Sequence, residues 1–188
     1  MSKIDNNPLL QGLSGMLGNT MVYRQVNGQM QMVNKPKRRK FNSESQEEFK
    51  LKFQEAVQYA KKQSGDPESK ALYETGITDK KRTAYTVALT DYLRSPKVHF
   101  IDAQDYLGQV NDLIVVKATD DFMVTGVKIF ITASDGSLIE KGEATPDPKR
   151  TNEFFYKVTE VNPSVPGTRI KATAYDRPGN TGSLEKVV

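Results

Sequence analysis

The chain has 188 residues, a formal net charge of +4, 37% hydrophobic and 27% charged residues, no cysteine and a single histidine, His99. There is material for one large domain or two small ones, and none for disulfides, thiolate nucleophiles, Cys-based metal centres or a cluster of imidazoles. No apolar run is long enough to span a bilayer, and the polar stretch from Met1 to Gln11 lacks the apolar segment of a secretory signal, so the expected location is the cytoplasm or the inside of a particle released by lysis.

Charge changes along the chain. Residues 1–62 carry eleven Lys/Arg against five Asp/Glu, residues 63–97 six against five, and residues 98–188 ten against thirteen. A basic front and a mildly acidic back point to units with different surroundings.

In chain order, the opening stretch to Asn19 is rich in Gly, Asn and Ser, with Gly12, Gly15 and Gly18 three apart. No Gly-Lys-Ser/Thr follows, so it is no phosphate loop. It reads as an adaptable segment that orders only against something else. Val22 to Val26 and Gln29 to Val33 flank Asn27-Gly28, which suits a two-residue hairpin turn because both turn positions need positive φ. Such a hairpin is barely stable alone and must pack on the chain or on a partner.

Next comes the densest basic run, Lys35-Pro36-Lys37-Arg38-Arg39-Lys40. Lys35, Lys37, Arg38, Arg39 and Lys40 form a candidate binding patch for an acidic partner or for nucleic acid. The competing reading is a solvated linker ahead of a helix.

Residues 43–63 carry the clearest helical signal. Ser43 and Gln46 fit a capping box, and Phe49, Phe53, Ala56, Val57 and Ala60 fall on one face. That spacing makes the Phe49/Phe53 stripe core. Asp66-Pro67 restarts a second, short helix that stops near Gly76. A third is expected over 79–94, with Tyr85, Ala88, Leu89, Tyr92 and Leu93 on its apolar face, ended by Ser95-Pro96.

From Lys97 helical periodicity gives way to alternation. Strands are expected over 98–101, 112–118, 125–132, 138–143, 154–159, 168–174 and 184–187, the spacing of a β-sandwich. The fold class is therefore α+β: a lead and β-hairpin (1–42), a small helical layer (43–96) and an immunoglobulin-like β-sandwich (97–188).

Two resemblances bear on this. Ile114-Val115-Val116-Lys117-Ala118-Thr119-Asp120-Asp121, Val127-Lys128-Ile129-Phe130-Ile131 and the run from Ile170 to Asn180 resemble bacterial immunoglobulin-like modules. The resemblance implies a sandwich and leaves function open, since such modules host many roles. In the front half, Gly15, Gly18, Val22-Tyr23, the hairpin, Lys35-Pro36 and Gln46 with Phe49 and Phe53 are similar to short uncharacterised proteins of Bacteroidetes and their phages. That similarity suggests a link to phage-tail-like contractile injection particles, in which small proteins are structural parts or cargo.

The best metal candidates are Asp120, Asp121, Asp176 and Asn180. In an immunoglobulin-like order their two loops share one end of the sandwich, and carboxylates with an amide oxygen suit Ca²⁺. The competing reading is that Asp and Asn here cap turns. No catalytic set stands out: His99 has no partner cluster, and Glu140 and Glu143, three apart on a strand, face opposite ways. Apart from Ca²⁺, no cofactor is expected. The leading expectation is a non-enzymatic structural or cargo component of a large phage-like or contractile injection assembly, with protein as its partner. The alternatives are an immunoglobulin-like module binding glycans or proteins, and a basic-patch nucleic-acid binder.

Overall fold

In the computed structural model the described residues are 2–3, 14–26, 29–36 and 43–188. The chain divides into two compact units, Met1–Glu47 and Glu48–Val188.

The first unit is a four-stranded antiparallel sheet. Strands β1 (Ser2–Lys3), β2 (Gly15–Leu17), β3 (Met21–Val26) and β4 (Gln29–Asn34) are ordered β1-β4-β3-β2. The expected hairpin is β3–β4, paired from Met21 with Asn34 to Val26 with Gln29. Its Asn27-Gly28 turn lies outside the described residues, as do Lys37, Arg38, Arg39 and Lys40 of the basic run. Lys35 closes the hairpin base, its amide donating to the Thr20 carbonyl at 2.7 Å and its ammonium to Asn19 Oδ1. The glycine-bearing lead contributes two short strands that flank the hairpin, one of them made possible by the positive φ of Gly15 and Gly18 (117° and 59°). Among residues 14–26, 29–36 and 43–47 no side chain is buried.

The second unit holds the sandwich, the two shorter helices and all but the first turn of the long one. Helix α1 (Glu44–Gly65) begins at the expected capping box, where the Ser43 amide donates to Gln46 Oε1 at 3.2 Å. Helix α2 (Pro67–Glu74) is capped by Asp66, whose side chain accepts from the Ser69 amide. Helix α3 is shorter than expected: it runs Ala84–Leu93 because Thr83 is its N-cap, and residues 79–82 precede it as bends and irregular chain. A compact helical core forms from Ala60, Tyr73, Ala84, Val87 and Ala88.

One expectation fails on α1. Its buried positions are Ala56 and Ala60, whereas Phe49 and Phe53 are 61% and 41% exposed and stack on each other. The helix is longer than the layer it packs against, so its apolar stripe is covered only in its later turns.

All seven expected sandwich strands are present: β5 (Lys97–Asp102), β6 (Leu113–Thr119), β7 (Val124–Thr132), β8 (Leu138–Pro146), β9 (Glu153–Lys157), β10 (Arg169–Asp176) and β11 (Thr181–Val187). Strands β5-β6-β9 form one sheet and β11-β10-β7-β8 the other, with β8 crossing to β9 at Thr145 and Pro146. This is an immunoglobulin-like arrangement in which the first, second and fifth strands face the third, fourth, sixth and seventh. Alternation decides which side faces in: Ile114, Val116 and Ala118 on β6, Val127, Ile129 and Ile131 on β7, and Ile170, Ala172 and Ala174 on β10 make the core between the sheets.

Candidate functional site

Two loops at one end of the sandwich meet the helical layer. The β6–β7 loop carries Asp120, Asp121 and Phe122, and the β10–β11 loop follows Asp176 with Arg177 and Asn180. Phe122 stacks against Tyr73 of α2 with ring centroids 4.7 Å apart. Arg177 lies over the same ring and donates to Ser69 Oγ at 3.0 Å. The Asn180 amide nitrogen donates to the carbonyls of Asp91, Tyr92 and Arg94 at the end of α3. Turn residues of the sandwich thus supply donors to a helix C-terminus whose carbonyls have no partner within the helix.

At this junction the chain brings together three carboxylates from distant positions. Asp91 of α3, Asp120 and Asp176 each place an oxygen within 4.8 Å of the other two. Asp91 is fully buried and Asp176 nearly so. Each is held in place by local donors. Asp91 Oδ2 accepts from the Tyr73 hydroxyl at 2.7 Å, and Tyr73 in turn meets the Tyr59 hydroxyl at 2.7 Å. Asp120 Oδ2 accepts the amides of Phe122 and Met123, both at 3.3 Å. Asp176 Oδ1 accepts the amides of Gly179 and Asn180, and its Oδ2 accepts the Asn180 side chain at 2.7 Å. The remaining oxygens, Oδ1 of Asp91 and Oδ1 of Asp120, are buried with no hydrogen-bond donor.

Burial first, and then a hydrogen bond shared with Asp120 and the Asp120 and Asp176 charges, push the Asp91 carboxyl up to about 7, against the opposing pull of the Tyr73 hydrogen bond. Burial also raises Asp176, against the hydrogen bonds from Asn180 and Gly179. Among the described residues no Lys or Arg forms an ion pair with any of the three. An open groove of about 890 Å³ reaches this end of the sandwich, with Asp120 in its wall beside Arg94, Lys97 and His99.

Of the four metal candidates read from sequence, the fold places Asp120 and Asp176 together and Asn180 beside them as a donor. Asp121 lies apart. Its two oxygens meet Lys81 at 2.5 Å and Arg94 at 2.8 Å. Burial alone would raise Asp121, and the two cations reverse that and hold it below the usual carboxylate range. Asp91 was missed. It falls seven residues after Ala84 on the stripe Ala84, Val87, Ala88, Asp91, so a carboxylate at a core-facing helical position was the available signal.

The other residues weighed from sequence form no such cluster, although Glu140 Oε1 is likewise buried without a partner. His99 is exposed, with Nε2 2.6 Å from Thr119 Oγ1. Glu140 is buried, with Oε2 accepting from Tyr156 and Thr159, while Glu143 points outward to Lys128. No described helix is long and apolar enough to cross a membrane.

No family model matches the chain, and no curated protein matches it in sequence. Among solved structures it is similar to CopC from Methylosinus trichosporium OB3b, at 16% identity over 48% of this chain and 87% of that one, with a TM-score of 0.36.

Proposed function

We propose that this chain is a non-enzymatic structural or cargo component of a larger protein assembly, of the phage-like or contractile-injection kind that its front half resembles. One observation carries the reading. In the four-stranded N-terminal sheet no side chain of β2, β3 or β4 is buried, and Met16 and Leu17 are each 59% exposed. A sheet whose described side chains are at most half-buried gains little from folding alone, and exposed apolar surface of this kind marks a contact site. Phe49, Leu51 and Phe53 on the first turns of α1 add a second uncovered apolar stretch.

The partner that fits is a protein surface with an apolar centre and an acidic border, the border answering the basic run Lys35–Lys40. The sandwich is then the carried or displayed part. Its place in the cell follows that of the assembly, in the cytoplasm or inside a particle.

The test is sedimentation of a native lysate with mass spectrometry of each fraction. Co-sedimentation with a megadalton particle, lost when residues 1–42 are removed, supports the proposal. Migration near 21.1 kDa rejects it in favour of a free binding module. Release from the particle by salt alone, with recovery on nuclease-sensitive nucleic acid, would favour the basic-patch reading instead.

A further inference from the structure

We infer that Asp91, Asp120 and Asp176 form a binding site for one hard divalent cation, with Ca²⁺ the best fit, at the junction of α3 with the two sandwich loops. Four observations converge. The first is spacing. Two oxygens bound to one Ca²⁺ at its usual 2.3–2.6 Å can lie no more than about 5 Å apart, and the three carboxylates each offer an oxygen within 4.8 Å of the others.

The second is the pair of orphaned atoms. Asp91 is fully buried, and its Oδ1 and that of Asp120 have no donor other than a proton the two carboxyls can share, although each carboxylate's other oxygen is satisfied. A buried oxygen without a donor costs free energy that a bound cation would remove. The third is charge. The neighbouring cations Lys81 and Arg94 are engaged by Asp121, and no described Lys or Arg pairs with the other three. The fourth is nearness to solvent: Asp120 is only partly buried and stands in the wall of the open groove, although its Oδ1 is enclosed.

Carboxylate oxygens alone, with no imidazole or thiolate, select a hard ion over zinc or copper. Ligands drawn from three separate segments suit Ca²⁺, which tolerates irregular geometry, better than Mg²⁺, which demands a near-ideal octahedron. The ion would tie the helical layer to the sandwich, because Asp91 belongs to one and Asp120 and Asp176 to the other.

The probe is Tb³⁺, which replaces Ca²⁺ and emits when a nearby tyrosine is excited. Tyr73 touches Asp91 and so sits where it can sensitise the ion. The full chain, stripped by chelator, is expected to give saturable tyrosine-sensitised Tb³⁺ emission that Ca²⁺ displaces and equimolar Mg²⁺ does not. Ca²⁺ alone should raise Tm by several degrees, reversibly with chelator. Both responses should vanish in Asp91→Asn, which keeps the shape of the side chain and an acceptor for Tyr73, and in Asp120→Asn. Both should survive in Asp121→Asn. Absence of saturable emission from the wild-type chain overturns the inference whatever the variants do. So does emission that persists in a folded Asp91→Asn or Asp120→Asn protein.

Discussion

Tyr73 of α2 donates its hydroxyl to Asp91 of α3 at 2.7 Å, and both side chains are fully buried. The pair joins two helices through a polar contact at the edge of an apolar core of Ala60, Ala84, Val87 and Ala88. Phenylalanine in place of Tyr73 would fill the same space and leave Asp91 Oδ2 without its donor. Tyr73→Phe should therefore lower stability by about 1–3 kcal/mol, as a buried acceptor left unsatisfied does. Chemical denaturation of the two proteins checks this. Equal midpoints would mean that the hydroxyl contributes nothing beyond the ring.

The carboxylates give the metal-free chain a stability that changes sign of slope with pH. Asp91 sits at about 7 when folded, against about 3.9 in an unfolded chain. A raised folded value means that the contribution is fully present below about pH 4 and is lost as pH rises through about 7. Asp176, also raised by burial, adds a slope of the same sign, and the groups facing Asp91 are Tyr73, Asp120 and Asp176. Asp121 is lowered instead, so its contribution is present above about pH 4 and lost as pH falls further. With chelator present, Tm should therefore peak at about pH 4 and fall from there to about pH 7, and Asp91→Asn should flatten that fall. A wild-type Tm that climbs steadily from pH 6 to about pH 8 would contradict the environment described for Asp91.

Much of the fold was legible because its signals are local and repeated. Ile114, Val116 and Ala118 alternate into the core, as do Ile129 with Ile131 and Ile170 with Ala172. Such period-two patterns survive any tertiary context that covers one sheet face. The Phe49/Phe53 stripe misled for the opposite reason. Periodicity shows that a helix face is apolar, not that something covers it. Two of the three carboxylates in the cluster were visible, because Asp120 and Asp176 sit in turns that an immunoglobulin-like order brings to one end. Asp91 could not be placed with them from sequence, since its partners are 29 and 85 residues away and only helix docking brings them together.

Asp121 clamps the helical layer to the sandwich through two unequal contacts. Lys81 Nζ bonds both the carboxylate and the carbonyl of Asp121 and is largely enclosed, whereas the side chain of Arg94 is 66% exposed. Exposed ion pairs contribute about 0–1 kcal/mol, and enclosed charges left without a partner cost more. Asp121→Asn and Lys81→Met should each cost more stability than Arg94→Ala. The comparison is a urea series on the three variants, and an equal loss for all three would show that enclosure around Lys81 has no energetic weight.

The sandwich closes where β11 passes the start of β5. A Cβ built on Gly182 would overlap the Pro96 carbonyl oxygen, which is backbone and cannot turn aside. Gly126 on β7 has open space at the same atom. Gly182→Ala should cost about 1–3 kcal/mol or more, as overpacking does. Gly126→Ala should be neutral or stabilise by about 0.4–1 kcal/mol by restricting the unfolded chain. If both variants melt with the wild type, the close approach of β11 to Pro96 is not part of the folded chain in solution.

Phe49 and Phe53 separate stability from assembly. Both rings are exposed on the first turns of α1, away from the buried Ala56 and Ala60. Replacing exposed side chains usually changes stability by no more than about 0.5 kcal/mol. The double variant Phe49→Ser/Phe53→Ser should therefore keep the melting temperature of the wild type within a few degrees. If the rings serve a partner, the same variant should leave the particle fractions and migrate as the free chain, because aromatic anchors carry a large share of binding energy at an interface. A large drop in Tm would instead show that the rings are covered by the chain itself, and would remove α1 from the docking surface. An unchanged Tm with undiminished co-sedimentation would confine docking to the N-terminal sheet, where Met16 and Leu17 are the next side chains to replace.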